Sequence, residues 1–123
     1  MSEKKKESKD VSIFVSRKKG TSRLHFRDSE GHSGDYTITT DVRPGGMVKW
    51  EVEDGVDTIT NIYPKKGSFS IFEKGPEKKK NGEWFGKIKK DATGREEYNV
   101  DYIIDGKEYS EDPVLNVKPP TKP

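Results

Sequence analysis

Val48, Trp50 and Val52 point one way and Lys49, Glu51 and Glu53 the other, between Pro44-Gly45-Gly46 and Asp54-Gly55. A period of two closed off by tight turns specifies a half-buried β-strand. Proline presets φ at the first turn, and glycine accepts the positive φ that both turns need. The rest of the chain repeats this pattern. Val11, Ile13 and Val15 start one strand, RKKGTS (17–22) turns, and Leu24 and Phe26 mark the next. DSEGHSGD (28–35) reads as a loop on its turn residues. Tyr36, Ile38 and Val42 frame a third strand. Segments 58–63, 84–88 and 114–117 read as further strands. Tyr98, Val100, Tyr102 and Ile104 alternate along the longest strand, and Asp105-Gly106 is a hairpin signal returning through 107–110.

No window carries a capped 3.6-residue period, so no helix is expected. The predicted fold class is all-β, a two-sheet Greek-key sandwich of about seven to eight mostly antiparallel strands. One domain spans 11–118, with disordered tails at 1–10 and 119–123. The predicted core is Val11, Ile13, Val15, Leu24, Phe26, Tyr36, Ile38, Val48, Trp50, Val52, Ile62, Tyr98, Val100, Tyr102, Leu115 and Val117. The apolar island Phe69-Ser70-Ile71-Phe72 should pack as a short strand or a single helical turn. EKGPEKKKNG (73–82) then remains as a loop.

Charge bounds the function. Charged residues make up 37% of the chain, against about 25% in an average domain. Net charge is only +2, but residues 65–90 hold nine lysines against three glutamates, and the segment beyond is acidic. Lys78, Lys79, Lys80, Lys87, Lys89 and Lys90, with Trp84 and Phe85 among them, form a candidate polyanion-binding site. Lysines neutralise phosphates without reading sequence, and a ring can stack on a base. The competing reading is that these lysines solvate an exposed edge and that Trp84 packs.

The chain has no cysteine and two histidines. Thiolate chemistry and disulfides are therefore absent, which fits a reducing compartment. The charged start without an apolar run gives no signal-peptide pattern, and no stretch approaches the roughly 20 apolar residues of a membrane span. The expectation is a cytoplasmic monomer with no membrane association. No Gly-x-Ser-x-Gly elbow and no phosphate loop with its lysine occur. Glu96-Glu97 and Glu111-Asp112 read as solvated charges, because neighbouring strand residues face opposite ways.

Pro44, Gly45, Val48 and Trp50, then Thr60-Asn61-Ile62, then the aromatic strand of Tyr98, Val100 and Tyr102, occur in an order that resembles a cupredoxin domain. The resemblance covers roughly residues 36–118. It implies a β-sandwich in which Thr60 stands at a histidine ligand position, 105–113 replaces the ligand loop, and 114–117 forms the final strand. The family's copper ligands are not at these positions, and a blue copper centre needs two imidazoles and a thiolate. An immunoglobulin-like or fibronectin-like sandwich is the alternative fold. No metal and no cofactor are expected. The functional expectation is a non-enzymatic binding or structural module for an unknown protein partner. Weak binding of nucleic acid or another polyanion through 74–90 is the alternative, and an unrecognised enzyme the second.

Overall fold

The alternation in the sequence becomes eleven strands in the computed structural model, which describes residues 10–35 and 37–118. Both expected tails, apart from Asp10, and the expected core residue Tyr36 lie outside the described residues. The strands are β1 (Val11–Arg17), β2 (Leu24–Asp28), β3 (Ser33–Asp35), β4 (Thr39–Val42), β5 (Met47–Val52), β6 (Thr58–Pro64), β7 (Phe72–Lys78), β8 (Trp84–Ile88), β9 (Gly94–Ile104), β10 (Lys107–Glu111) and β11 (Val114–Val117). No helix occurs among the described residues.

Two sheets form. One has six strands in the order β3–β2–β1–β5–β8–β7, and the other five is built on β10–β9–β11–β4 with β6 against β9. β1 runs parallel to β5, and β11 runs parallel to β4. The remaining pairings are antiparallel. β9 is long enough to serve several partners: its start pairs with β11, and its end lies between β6 and β10.

The inward faces meet in one core. Ile13, Phe26, Trp50 and Ile88 from the six-stranded sheet, and Ile59, Tyr98, Val100 and Leu115 from the other, are fully buried. Each such side chain contributes about 1.5–3 kcal/mol relative to exposure. The buried polar tips find partners across the sandwich. Trp50 Nε1 donates to the Tyr98 hydroxyl at 3.1 Å, and Trp84 Nε1 donates to the Ile59 carbonyl at 3.1 Å.

The all-β two-sheet architecture is as the sequence predicts, but the described residues form eleven strands rather than the expected seven to eight, and residues 69–71 of the apolar island form neither a strand nor a helical turn, Phe72 alone entering β7. Three further local expectations need correction. Strand β7 takes up residues 73–78 of the expected 73–82 loop, leaving a turn whose ends are tied by Lys79 N–H to the Glu83 carbonyl at 2.7 Å. Lysines and glutamates on an edge strand, exposed through most of its length, hide the period of two. The 28–35 loop ends in β3, a three-residue edge strand on β2. The expected strand at 36–42 is shortened to 39–42, although Ile38 is buried just before it.

Within the predicted core, Val52 is only partly buried, because it lies at the end of β5. Val42, Ile59, Ile71, Phe72, Ile88 and Ile104 join the core without having been in the predicted set.

Candidate functional site

The outward face of the six-stranded sheet follows from its register. Met47 stands opposite Lys87, and Lys49 opposite Phe85, on β5 and β8. On the far side of β8, Lys74 stands opposite Lys87 and Glu77 opposite Phe85. The turn after β7 folds Lys79 back, so that its Nζ lies 4.4 Å from the centre of the Phe85 ring. A similar pair lies across the sheet, with the Arg27 guanidinium 4.3 Å from the centre of the Phe14 ring. Cations over aromatic faces are attracted by the ring quadrupole and shield the ring from water.

The candidate lysines divide between the two ends of the β7–β8 hairpin. Lys78, Lys79 and Lys80 are exposed at its tip. Lys78 Nζ donates to Thr58 Oγ1 at 3.2 Å. At the other end Lys87 Nζ donates to the Gly45 carbonyl at 3.3 Å. Lys90 runs beside Gly45, and Lys89 is half-buried. Trp84 does not belong with them. It faces the core, 7% exposed, and offers no surface ring.

Ion pairing is densest on β1, β2 and the adjoining turns. Arg17, Lys18, Arg23, Arg27 and Arg43 sit on Asp105, Asp35, Glu111, Glu53 and Glu30 at 2.7–3.2 Å. Lys18, with His25, holds the Asp35 carboxyl below its ordinary range. Lys65 does the same for Asp112. None of Lys78, Lys79, Lys80, Lys87, Lys89 and Lys90 pairs with a carboxylate among the described residues. Unneutralised like charges on one face raise the local potential and draw anions to it.

Sequence reading missed Met47 and Lys49 as members of this face. Their outward position was legible in the β5 alternation. That β5 lies beside β8 was not, because 31 residues separate the two strands.

The remaining chemistry-bearing side chains serve the fold. Asp28 is buried, and its Oδ1 accepts from the backbone N–H groups of Glu30 and His32 at 2.9 Å. Thr40 Oγ1 donates to its Oδ2 at 2.6 Å. His32 Nδ1 rests on the same carboxylate while Nε2 faces Asp41 at 3.6 Å. His25 is held on a different carboxylate, Asp35, at 2.7 Å. A hydroxyl nucleophile would need an imidazole nitrogen within reach to take its proton; both His32 nitrogens face carboxylates instead.

Glu111 corrects the reading of Glu111-Asp112 as solvated charges. Its side chain is 4% exposed and takes a bidentate pair from Arg23 at 2.8 and 3.0 Å. The Tyr102 hydroxyl lies 3.2 Å from Glu111 Oε2. A carboxylate can be buried at this cost because a guanidinium fork satisfies both oxygens.

The positions that the cupredoxin resemblance marks for metal ligands do not fit a blue copper centre. Thr60 lies at an irregularity of β6, and its Oγ1 is buried without a hydrogen-bond partner among the described residues. The 105–113 segment is the β9–β10 turn, β10 and the short link to β11, and Glu111 within it is taken up by Arg23. A chain with no cysteine supplies no thiolate.

No helix among the described residues is long and apolar enough to cross a membrane. No protein-family model matches the chain, and no curated protein matches it. Among solved structures, a crystal structure of a cysteine protease inhibitor from Entamoeba histolytica is 13% identical over 87% of this chain and 95% of that one, with a TM-score of 0.39. Similarity at that level carries no functional argument.

Proposed function

We propose that this protein is a non-catalytic binding module that meets an acidic partner through the outward face of β5, β8 and the β7–β8 turn. One observation carries the reading: six lysines without carboxylate partners among the described residues lie on and around the β7–β8 hairpin, Lys79 over the Phe85 ring, on a fold whose other arginines and lysines on β1, β2 and the adjoining turns are largely ion-paired. Lysines whose charge no internal carboxylate neutralises can attract external anions, and long-range attraction speeds encounter. A cupredoxin-like form without copper is part of the proposal. Its support is the order of Val48 and Trp50 on β5, Thr60-Asn61-Ile62 on β6, and Tyr98, Val100 and Tyr102 on β9. A reducing compartment suits a chain without cysteine.

Binding to an immobilised polyanion such as heparin tests the face. The triple charge reversal Lys79→Glu, Lys87→Glu, Lys90→Glu should elute at much lower salt than the parent. A control reversal of the same size at Lys19, Lys66 and Lys107, away from the face, should change elution less. Equal shifts for the two variants would show that net charge alone is being read, and would remove the proposal.

A further inference from the structure

Asn81 is exposed in the β7–β8 turn. It is the one asparagine of the chain followed by glycine; Asn61, Asn99 and Asn116 precede Ile62, Val100 and Val117 inside β6, β9 and β11. Asparagine is chemically labile where the next backbone nitrogen can reach its side-chain carbonyl. A β-branched side chain crowds that nitrogen, and strand pairing holds the backbone in place. At Gly82 neither obstacle is present. A Cβ placed there would meet nothing within 4 Å. The Glu83 N–H donates to Asn81 Oδ1 at 3.0 Å. That bond curls the side chain forward over the Asn81–Gly82 peptide and draws electron density away from Cγ, as a donor in an oxyanion hole does. The ammonium groups of Lys79 and Lys80, just before Asn81, favour an anionic nitrogen. One contact opposes attack: the Gly82 N–H donates to the Lys79 carbonyl at 3.0 Å and must be released first.

We infer that Asn81 is a site of spontaneous deamidation, and that the reaction turns down the basic face beside it. Hydroxide takes the proton from the Gly82 nitrogen, which then bonds to Asn81 Cγ. The Cγ–Nδ2 bond breaks, and that nitrogen leaves as ammonia with a proton from water. Water then opens the cyclic imide. Opening at Cγ gives aspartate. Opening at the backbone carbonyl gives isoaspartate, in which the main chain runs through Cβ and Cγ. Nothing is oxidised or reduced, and the net change is water consumed and ammonia released. Either product places a carboxylate where a neutral amide stood, next to Lys80 in the chain. Asn81 and Gly82 also line a cleft of about 250 Å³ with Glu51, Asp57 and Glu83, so the new charge joins three carboxylates there. Isoaspartate lengthens the main chain inside the turn that the Lys79 N–H closes on the Glu83 carbonyl, which loosens the seat of Lys79 over Phe85. The effect on binding rests on the face proposed above; the reaction at Asn81 does not.

Incubating the full chain in mildly alkaline buffer and mapping its peptides by mass spectrometry tests this, with a free peptide of residues 78–84 as the clock. Asn81 in the protein should convert about two- to tenfold more slowly than in the peptide, the effect of opening one turn hydrogen bond. Asn61, Asn99 and Asn116 should stay intact. Gly82→Ala should slow conversion and Asn81→Gln should stop it, with circular dichroism confirming that each variant is folded. Converted chains should bind immobilised heparin about two- to fivefold more weakly at about 100 mM salt, the effect of one added charge near the turn lysines. Asn81→Asp should reproduce most of that loss without incubation. Conversion more than about a hundredfold slower than in the peptide, as for a hairpin that must first unfold, would overturn the site. Conversion of the three strand asparagines at the rate of Asn81 would overturn it too. Full conversion with unchanged heparin binding would overturn the control of the face. Fresh protein that does not bind heparin at low salt would remove the face itself, and the mass spectrum would still decide the site.

Discussion

Trp50 is fully buried, with the Tyr98 ring 5.8 Å away edge-on and the Phe72 ring at 6.3 Å. Its indole N–H is satisfied by the Tyr98 hydroxyl. It therefore joins the two sheets by both apolar contact and a hydrogen bond. Trp50→Ala should cost about 3–5 kcal/mol, and Trp50→Phe less, because a ring remains while the Tyr98 hydroxyl loses its donor. Urea unfolding reads both, and a Trp50→Ala chain as stable as the parent would contradict this core. Glu111 shows the opposite kind of residue. Its own sequence neighbours make it look exposed, and its partner Arg23 lies 88 positions away. Trp50 was legible because strand alternation decides which way a side chain points. Glu111 was not, because its burial depends on a guanidinium delivered by another part of the chain.

At the scale of elements, β7 and β8 decide where the candidate face lies. β7 reaches β8 through two irregularities, between Phe72 and Lys74 and between Lys74 and Glu77. Gly75 sits there at φ 79°, and a Cβ on it would come within 2.7 Å of the Phe85 carbonyl oxygen. Gly75→Ala should therefore destabilise by about 2 kcal/mol or more, combining left-handed strain with a backbone clash. Gly82, in the turn, also has a left-handed φ of 92° but open space around it. Gly82→Ala should cost only the strain, about 1 kcal/mol. Hydrogen exchange should show faster opening of β7 and β8 in the first variant than in the second. If the two variants open alike, the close β7–β8 approach does not determine stability there. In the sequence this hairpin is the least legible element. An edge strand exposed through most of its length has no apolar alternation, so a Lys-rich strand and a Lys-rich loop look the same.

Over the whole molecule, the sheets are closed by aromatic side chains that must stay neutral. Burial pushes the phenols of both Tyr98 and Tyr102 well above their ordinary value near 10, and the adjacent Glu111 carboxylate adds to this for Tyr102. A phenol whose pKa is raised by folding contributes its full stability below that ordinary value. The contribution declines as pH rises above it, since the unfolded tyrosines ionise first. Alkaline titration should therefore show these two phenols ionising only together with loss of the native circular dichroism. Tyrosinate absorbance reaching its full value with the fold intact would refute this. What the sequence determined by itself was the class of fold, because turn chemistry and a period of two are local properties written into consecutive residues. It also determined the inward set of the regular strands and the excess of lysine at 65–90. Only the tertiary structure decided that β1 and β5 pair in parallel, that Trp84 leaves the lysines for the core, and that Met47 and Lys49 join them. Pairing between strands far apart in the chain depends on how two whole faces fit together, and no local pattern encodes that fit.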